Sequence, residues 1–231
     1  MHRFCKLREL ALALLKTLMS EFTQGLFFPV AFEQKISEHD PASPSPMVLP
    51  VTDSPLPVVC IGGTVDRVDL WRNEGKTYLR IVDYKTGSNK FRLEDAYNGS
   101  DIQLPLYLFT VCAPENARLY DKDGQVVPSA ALYFSAAEEN GVPKPFRSGM
   151  ILSEDGVPTA IDPQADPTKS KAGTLYCTAE EFAEINRNIQ NTVRDIAAQM
   201  YGGIIEKRPC KQACGFCRIK DSCDVAVIAE Y

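Results

Sequence analysis

Gly62-Gly63-Thr64-Val65-Asp66-Arg67-Val68-Asp69 is followed, beyond Asn73-Glu74-Gly75, by Ile81-Val82-Asp83-Tyr84-Lys85-Thr86-Gly87. Residues 58–70 and 78–84 are rich in β-branched and aromatic side chains, and the Asn-Glu-Gly between them is a hairpin signal. Adjacent antiparallel strands can bring Asp66 and Asp83, seventeen positions apart, side by side. Side chains two apart on a strand share a face, so Asp83 and Lys85 point the same way. Two carboxylates and an ammonium then converge. A hard divalent cation such as Mg²⁺ takes oxygen ligands and keeps several waters, so one or two carboxylates plus a substrate phosphate can hold it. Such a cation acidifies a water for attack and stabilises charge developing on phosphate, while a neighbouring lysine orients or deprotonates that water. The competing reading is a solvated hairpin with surface charges, and Arg67, Asp69 and Arg80 are assigned to that solvated surface.

Upstream, Leu7, Leu10, Ala11, Leu14, Leu18 and Phe22 recur at helical spacing, which describes an amphipathic helix laid on a core. Residues 40–57 are dense in Pro and Ser and read as a surface loop. Downstream, a helix is expected over residues 103–111 and a strand over 130–135. Residues 136–172 are polar with scattered Gly and Pro, the composition of a long loop. Thr178 and Glu181 form a capping box ahead of Phe182, Ile185, Ile189, Val193, Ile196 and Met200, and Gly202-Gly203 closes that helix. This order of elements implies an α/β or α+β sandwich.

At 231 residues, 45% hydrophobic and 24% charged, the chain can bury one substantial core, which favours one large domain with an appended element. A formal net charge of -5 argues against a partner held by overall positive charge. Any phosphate contact then depends on local Lys and Arg, and a cation-holding site is itself acidic. Glu9 and Lys16 interrupt the basic and apolar parts of what would otherwise resemble a signal peptide, and no small-residue cleavage pattern follows. With no membrane-spanning run, a cytoplasmic protein is expected, in which the eight cysteines are thiols or metal ligands.

Gly63-x-x-Asp66-Arg67-x-Asp69, Asp83-Tyr84-Lys85-Thr86-Gly87 and Gln103-Leu104-Pro105-Leu106-Tyr107 together resemble the RecB-like branch of the PD-(D/E)XK nuclease superfamily. The resemblance extends from Phe27 to Cys223. It implies an α/β fold with a central mixed sheet flanked by helices, and Mg²⁺-dependent hydrolysis of DNA phosphodiesters. It further implies that Asp66 and Asp83 bind Mg²⁺ and that Lys85 positions or activates water. Gln103 and Tyr107, four apart on one helix face, would arrange the substrate strand. Phe27-Phe28-Pro29-Val30-Ala31-Phe32-Glu33 is similar to the family segment ending in a helix-to-strand glutamate near the metal, which makes Glu33 a further metal ligand. The histidine that the family often carries upstream has no counterpart, because His2 and His39 stand in other contexts.

Cys214-Gly215-Phe216-Cys217 followed by Cys223, and preceded by Cys210, places thiols at spacings suited to zinc or an iron-sulfur cluster. That tail, after Pro209, resembles the end of AddB-type subunits of AddAB helicase-nucleases. The resemblance implies a nuclease domain over 1–206 and a cysteine-rich tail over 207–231. It also implies a [4Fe-4S] cluster on Cys214, Cys217 and Cys223, action on DNA ends at double-strand breaks, and an AddA-type partner. The family's fourth cysteine lies far upstream of the core, whereas Cys5 is much closer. The chain is therefore expected to be the C-terminal piece of a longer subunit, with Cys210 as substitute ligand and a cluster held weakly or not at all. Cys60, Cys112 and Cys177 are read as core residues. Lys207, Arg208, Lys211, Arg218 and Lys220 form either a phosphate track or a solvated basic tail. A stand-alone exonuclease of the CRISPR-adaptation type and a non-catalytic DNA-end-binding module are the rival readings.

Overall fold

The computed structural model describes residues 2–51, 57–88, 90–123, 125–169, 173–207, 214, 217–219 and 222–223. A six-stranded mixed sheet organises them. Its strands are β1 (Phe28–Ile36), β4 (Gly63–Asn73), β5 (Lys76–Lys85), β6 (Val126–Ser135), β9 (Phe146–Leu152) and β10 (Thr174–Cys177), side by side in that order. The pairs β5/β6 and β9/β10 are parallel and the other three antiparallel. Two small antiparallel pairs stand apart, β2 (Met47–Pro50) with β3 (Val58–Ile61) and β7 (Glu138–Glu139) with β8 (Val142–Pro143).

The expected hairpin is present. Asn73 pairs with Lys76, leaving Glu74-Gly75 as the turn, and both have positive φ, 49° and 78°. That is the turn whose twist matches the flanking strands, and glycine tolerates its second position without strain. The expected strand over 58–70 is in fact two. Gly62 separates β3 from β4, and β3 leaves the main sheet to pair with β2. β2 also replaces part of the surface loop expected over 40–57, because alternation in Met47-Val48-Leu49-Pro50 buries Met47 and Leu49.

Helices cover both faces of the sheet. On one face lie α3 (Gln103–Val111) and α6 (Ala179–Tyr201), in contact with each other through Phe109 and Phe182, with α2 (Leu93–Tyr97) beside α6. The α6 capping box is formed as expected, with Thr178 accepting from the Glu181 amide and the Glu181 carboxylate accepting from the Thr178 amide. On the other face lie α1 (His2–Gln24) and α5 (Val157–Ile161), while α4 (Pro114–Ala117) follows α3. Amphipathicity in α1 is only partly used. Leu14 and Leu18 pack on the core, but Leu7 and Phe22 are exposed.

The long loop expected over 136–172 is the main correction. It contains β9, an interior strand with Ser148, Gly149 and Met150 buried, and it contains α5. Gly149 admits the neighbouring strand where a side chain could not, since a Cβ there would lie 2.0 Å from the Ala131 carbonyl oxygen. A glycine and a serine inside Phe146-Arg147-Ser148-Gly149-Met150-Ile151-Leu152 erase the alternation by which a strand is recognised. Among the described residues, no helix is long and apolar enough to cross a membrane.

Candidate active site

Strand alternation gives the β4–β5 hairpin two faces. Arg67 pairs with Val82, and the same register carried one step further sets Asp66 opposite Asp83. Like charges directly opposite on antiparallel strands repel, so this arrangement costs stability unless a cation lies between them. Asp66 is held in place by the Tyr84 amide, which donates to its Oδ2 at 2.8 Å. Asp83 is buried, and Lys85, two residues along, ion-pairs with its Oδ2 at 2.8 Å. Burial pushes the Asp83 carboxyl above its ordinary range. Lys85 opposes that shift, and Asp66 and Asp101 reinforce it. Three groups named from sequence are thus brought together, with oxygen donors of the kind that suits a hard divalent cation.

Gln103 is the first residue of α3 and is exposed, while Tyr107 is half-buried one turn later. Tyr107 reaches β4, because a Cβ on Gly63 would lie 2.1 Å from its hydroxyl oxygen. Gly63 therefore clears the space through which α3 meets the carboxylate strand. Glu33 lies within β1, so it is not at a helix-to-strand junction. It falls between the pairs Phe32–Arg67 and Gln34–Val65, on the strand beside Asp66, with φ 48° and an exposed side chain.

Two further residues, Tyr133 and Asp101, stand beside this cluster. Tyr133 of β6 is the parallel partner of Asp83, and the Lys85 ammonium lies over its ring, 5.0 Å from the centroid. The Tyr133 hydroxyl donates to Asp101, which precedes α3 by two residues. Burial and this bond both push the Tyr133 hydroxyl pKa upward, so it stays protonated as a donor. No local pattern marks either residue. Asp101 is one acid among several in a connector, and Tyr133 reads as core.

The opposite face overturns the assignment of Arg67, Asp69 and Arg80 to a solvated surface. All three are at most 1% exposed. Arg67 Nε lies 2.9 Å from Asp69 Oδ1 and its NH2 reaches Glu21 of α1 at 2.6 Å, while Arg80 binds both of the same acids. Arg147 of β9 adds a contact to Glu21 at 3.3 Å. Burial alone would raise the Glu21 carboxyl, but the guanidiniums of Arg80, Arg67 and Arg147 outweigh it and hold it below its usual value. Arg67 also donates to the Tyr84 hydroxyl at 2.7 Å, so one residue ties this network to the amide that holds Asp66.

In the tail, Cys214, Cys217 and Cys223 are half-buried, while Cys210, Arg208, Lys211 and Lys220 lie outside the described residues. Among the described residues, no three His, Cys, Asp or Glu side chains gather closely enough to hold a metal ion. Asp66 and Asp83 can serve a cation only as a pair completed by water or phosphate. Cys177 is buried as expected and Cys112 is half-buried, but Cys60 is exposed and donates to Glu38, because β3 belongs to the outlying pair.

Relatives in three clostridia are named as one subunit of an ATP-dependent helicase/deoxyribonuclease. The protein of Clostridium acetobutylicum is 28% identical over 94% of this chain and 21% of its own length. Those of Clostridium perfringens and Clostridium botulinum are 30% and 29% identical over 71% and 72% of this chain, and 17% of their own length in each case. The chain thus spans about a fifth of the length of these relatives. The model of the PD-(D/E)XK nuclease superfamily matches residues 3–224. A mixed sheet whose central hairpin presents Asp66, Asp83 and Lys85 together accords with that match, and the chain belongs to the PD-(D/E)XK nuclease superfamily.

Proposed function

We propose that this chain is a Mg²⁺-dependent deoxyribonuclease domain that hydrolyses phosphodiesters at DNA ends within a helicase-nuclease. The observation that carries the reading is the placement of Asp66 across from Asp83, with Lys85 ion-paired beside them. Asp66 and Asp83 would hold the cation with water or phosphate completing its shell, and Glu33, exposed on the adjoining strand, would have to turn inward to add a third oxygen. When bound, the cation supplies a more acidic water and stabilises charge developing on the phosphate. Lys85, with a side chain 26% exposed, can reach from Asp83 toward an attacking water and orient it or take its proton. Gln103 and Tyr107 would arrange the substrate strand from the start of α3.

The names of the relatives support a helicase-bearing assembly; an AddA-type partner and a cytoplasmic location belong to the same proposal. Within it, residues 1–206 would form the nuclease domain and 207–231 a tail carrying a [4Fe-4S] cluster on Cys214, Cys217 and Cys223, completed by Cys210 or by a cysteine of the longer protein. Only the spacing of these cysteines supports the cluster. The test of the nuclease reading is cleavage of end-labelled linear DNA and of circular DNA, with and without Mg²⁺. Cleavage confined to linear DNA, dependent on Mg²⁺ and lowered by at least about 10²-fold in Asp83→Ala, is expected. Cleavage by Asp83→Ala at the wild-type rate would overturn the site. Metal analysis and the visible spectrum of anaerobically purified protein, compared with Cys210→Ala, test the tail.

A further inference from the structure

We infer that Asp101 and Tyr133 are a positioning pair for the candidate site, holding together the seat of Lys85 and the start of α3. The inference rests on the nuclease reading for its consequence, but on geometry for its existence. Among the described residues the Lys85 ammonium has two partners, the Asp83 carboxylate at 2.8 Å and the face of the Tyr133 ring at 5.0 Å. A cation bound to Asp83 competes directly with the first. The ring is the partner left to the ammonium, and an aromatic face attracts a cation more strongly where water is scarce. Tyr133 is only 1% exposed, so this contact lies at a largely desolvated wall.

What fixes that wall is the bond from the Tyr133 hydroxyl to Asp101. A phenol donating to a carboxylate gains electron density in its ring, which favours the ammonium above it. The same bond ties the connector before α3 to β6. Gln103, two residues beyond Asp101, is thereby held at a set distance from Asp83, the neighbour of Tyr133 across the β5/β6 pair. Asp101 also lies near enough to Asp83 to act on it electrostatically. One hydrogen bond between residues outside the three sequence motifs thus constrains the lysine and the strand-arranging glutamine at once. Such placement matters because small misplacements of reacting groups cost rate far more than they cost binding.

The test uses the full chain and the variants Asp101→Ala, Tyr133→Phe and their double. Tyr133→Phe keeps the ring in the core and removes only the donor. With Mg²⁺ and linear DNA, each single variant should lower kcat about 10-fold while KM changes less than about 2-fold, and the double should be no worse than either, as for two halves of one interaction. A second readout does not need activity. In protein carrying ¹³C-labelled lysine, the Lys85 side-chain signals, assigned through Lys85→Arg, should shift in both single variants. Unmoved Lys85 signals in both, or losses that multiply in the double, would overturn the inference. So would a loss that follows melting temperature while those signals stay in place. A wild-type chain that cuts no DNA would sink the nuclease reading instead, and the lysine signals would still decide this one.

Discussion

The two faces of the β4–β5 hairpin carry similar numbers of charges and use them in opposite ways. On the α3 face, Asp66 and Asp83 oppose each other with Lys85 alongside, partly open to solvent and short of positive charge. On the α1 face, Glu21 and Asp69 are ion-paired with buried Arg67 and Arg80, and half-buried Arg147 reaches Glu21 from the rim. A buried network of this kind gains little net stability, because desolvating its ions offsets their attraction, but removing one member leaves an unpaired charge in the core. Its effect is on geometry. It joins α1, β4, β5 and β9 behind the strands that present the site, so the repulsion on the front face does not splay the hairpin. One face pairs its acids with arginines, and the other keeps two opposed carboxylates with a single lysine.

The contrast can be broken most sharply at Asp83. Asp83→Ala should lower DNA cleavage by roughly 10²–10³-fold, from the several kcal/mol of charge stabilisation that a bound cation supplies, and should leave the fold intact. Denaturant unfolding beside the cleavage assay checks both halves of that statement. Asp69→Ala should do the reverse, costing about 3–5 kcal/mol of stability by stranding Arg67 and Arg80 in the core. A urea midpoint equal to that of the wild type would show that the rear face is not a clamp. Gly63→Ala should fall between these, since the added Cβ meets the Tyr107 hydroxyl at 2.1 Å and displaces it. A loss of about 10-fold in kcat/KM is the expected outcome, with a lowered melting temperature as well, because Gly63 has φ 157° and any side chain there is strained.

The smallest effect is in the pH dependence, where the faces should differ in sign. Glu21, held below its ordinary value of 4.5, contributes stability that is present above that value and is lost as pH falls through the lowered one. Glu21→Gln should therefore cost most near neutrality and less in acid. Asp83 is raised above its ordinary 3.8, so its contribution is present below 3.8 and is lost as pH rises through the raised value. Asp83→Asn should accordingly stabilise the metal-free chain at neutral pH, with the gain fading in acid. Denaturant midpoints of both variants across the acid range, compared with the wild type, give the two slopes. Slopes of the same sign would remove the distinction.

By itself the sequence determined the front of the hairpin. Asp66, Asp83 and Lys85 share a face through strand parity and a two-residue turn, both local properties of a contiguous stretch, and α6 carries its own periodicity and capping box. The rear face was illegible for a matching reason. The burial of Arg67, Asp69 and Arg80 depends on Glu21, 46 residues upstream of Arg67, and on Arg147 from a strand that glycine and serine disguise. The pairing of Asp101 with Tyr133 is likewise set by where α3 docks on β6. Charged side chains look alike in sequence whether water or a counter-ion solvates them. Only the docking of α1, β9 and α3 onto the hairpin decided which of them it would be.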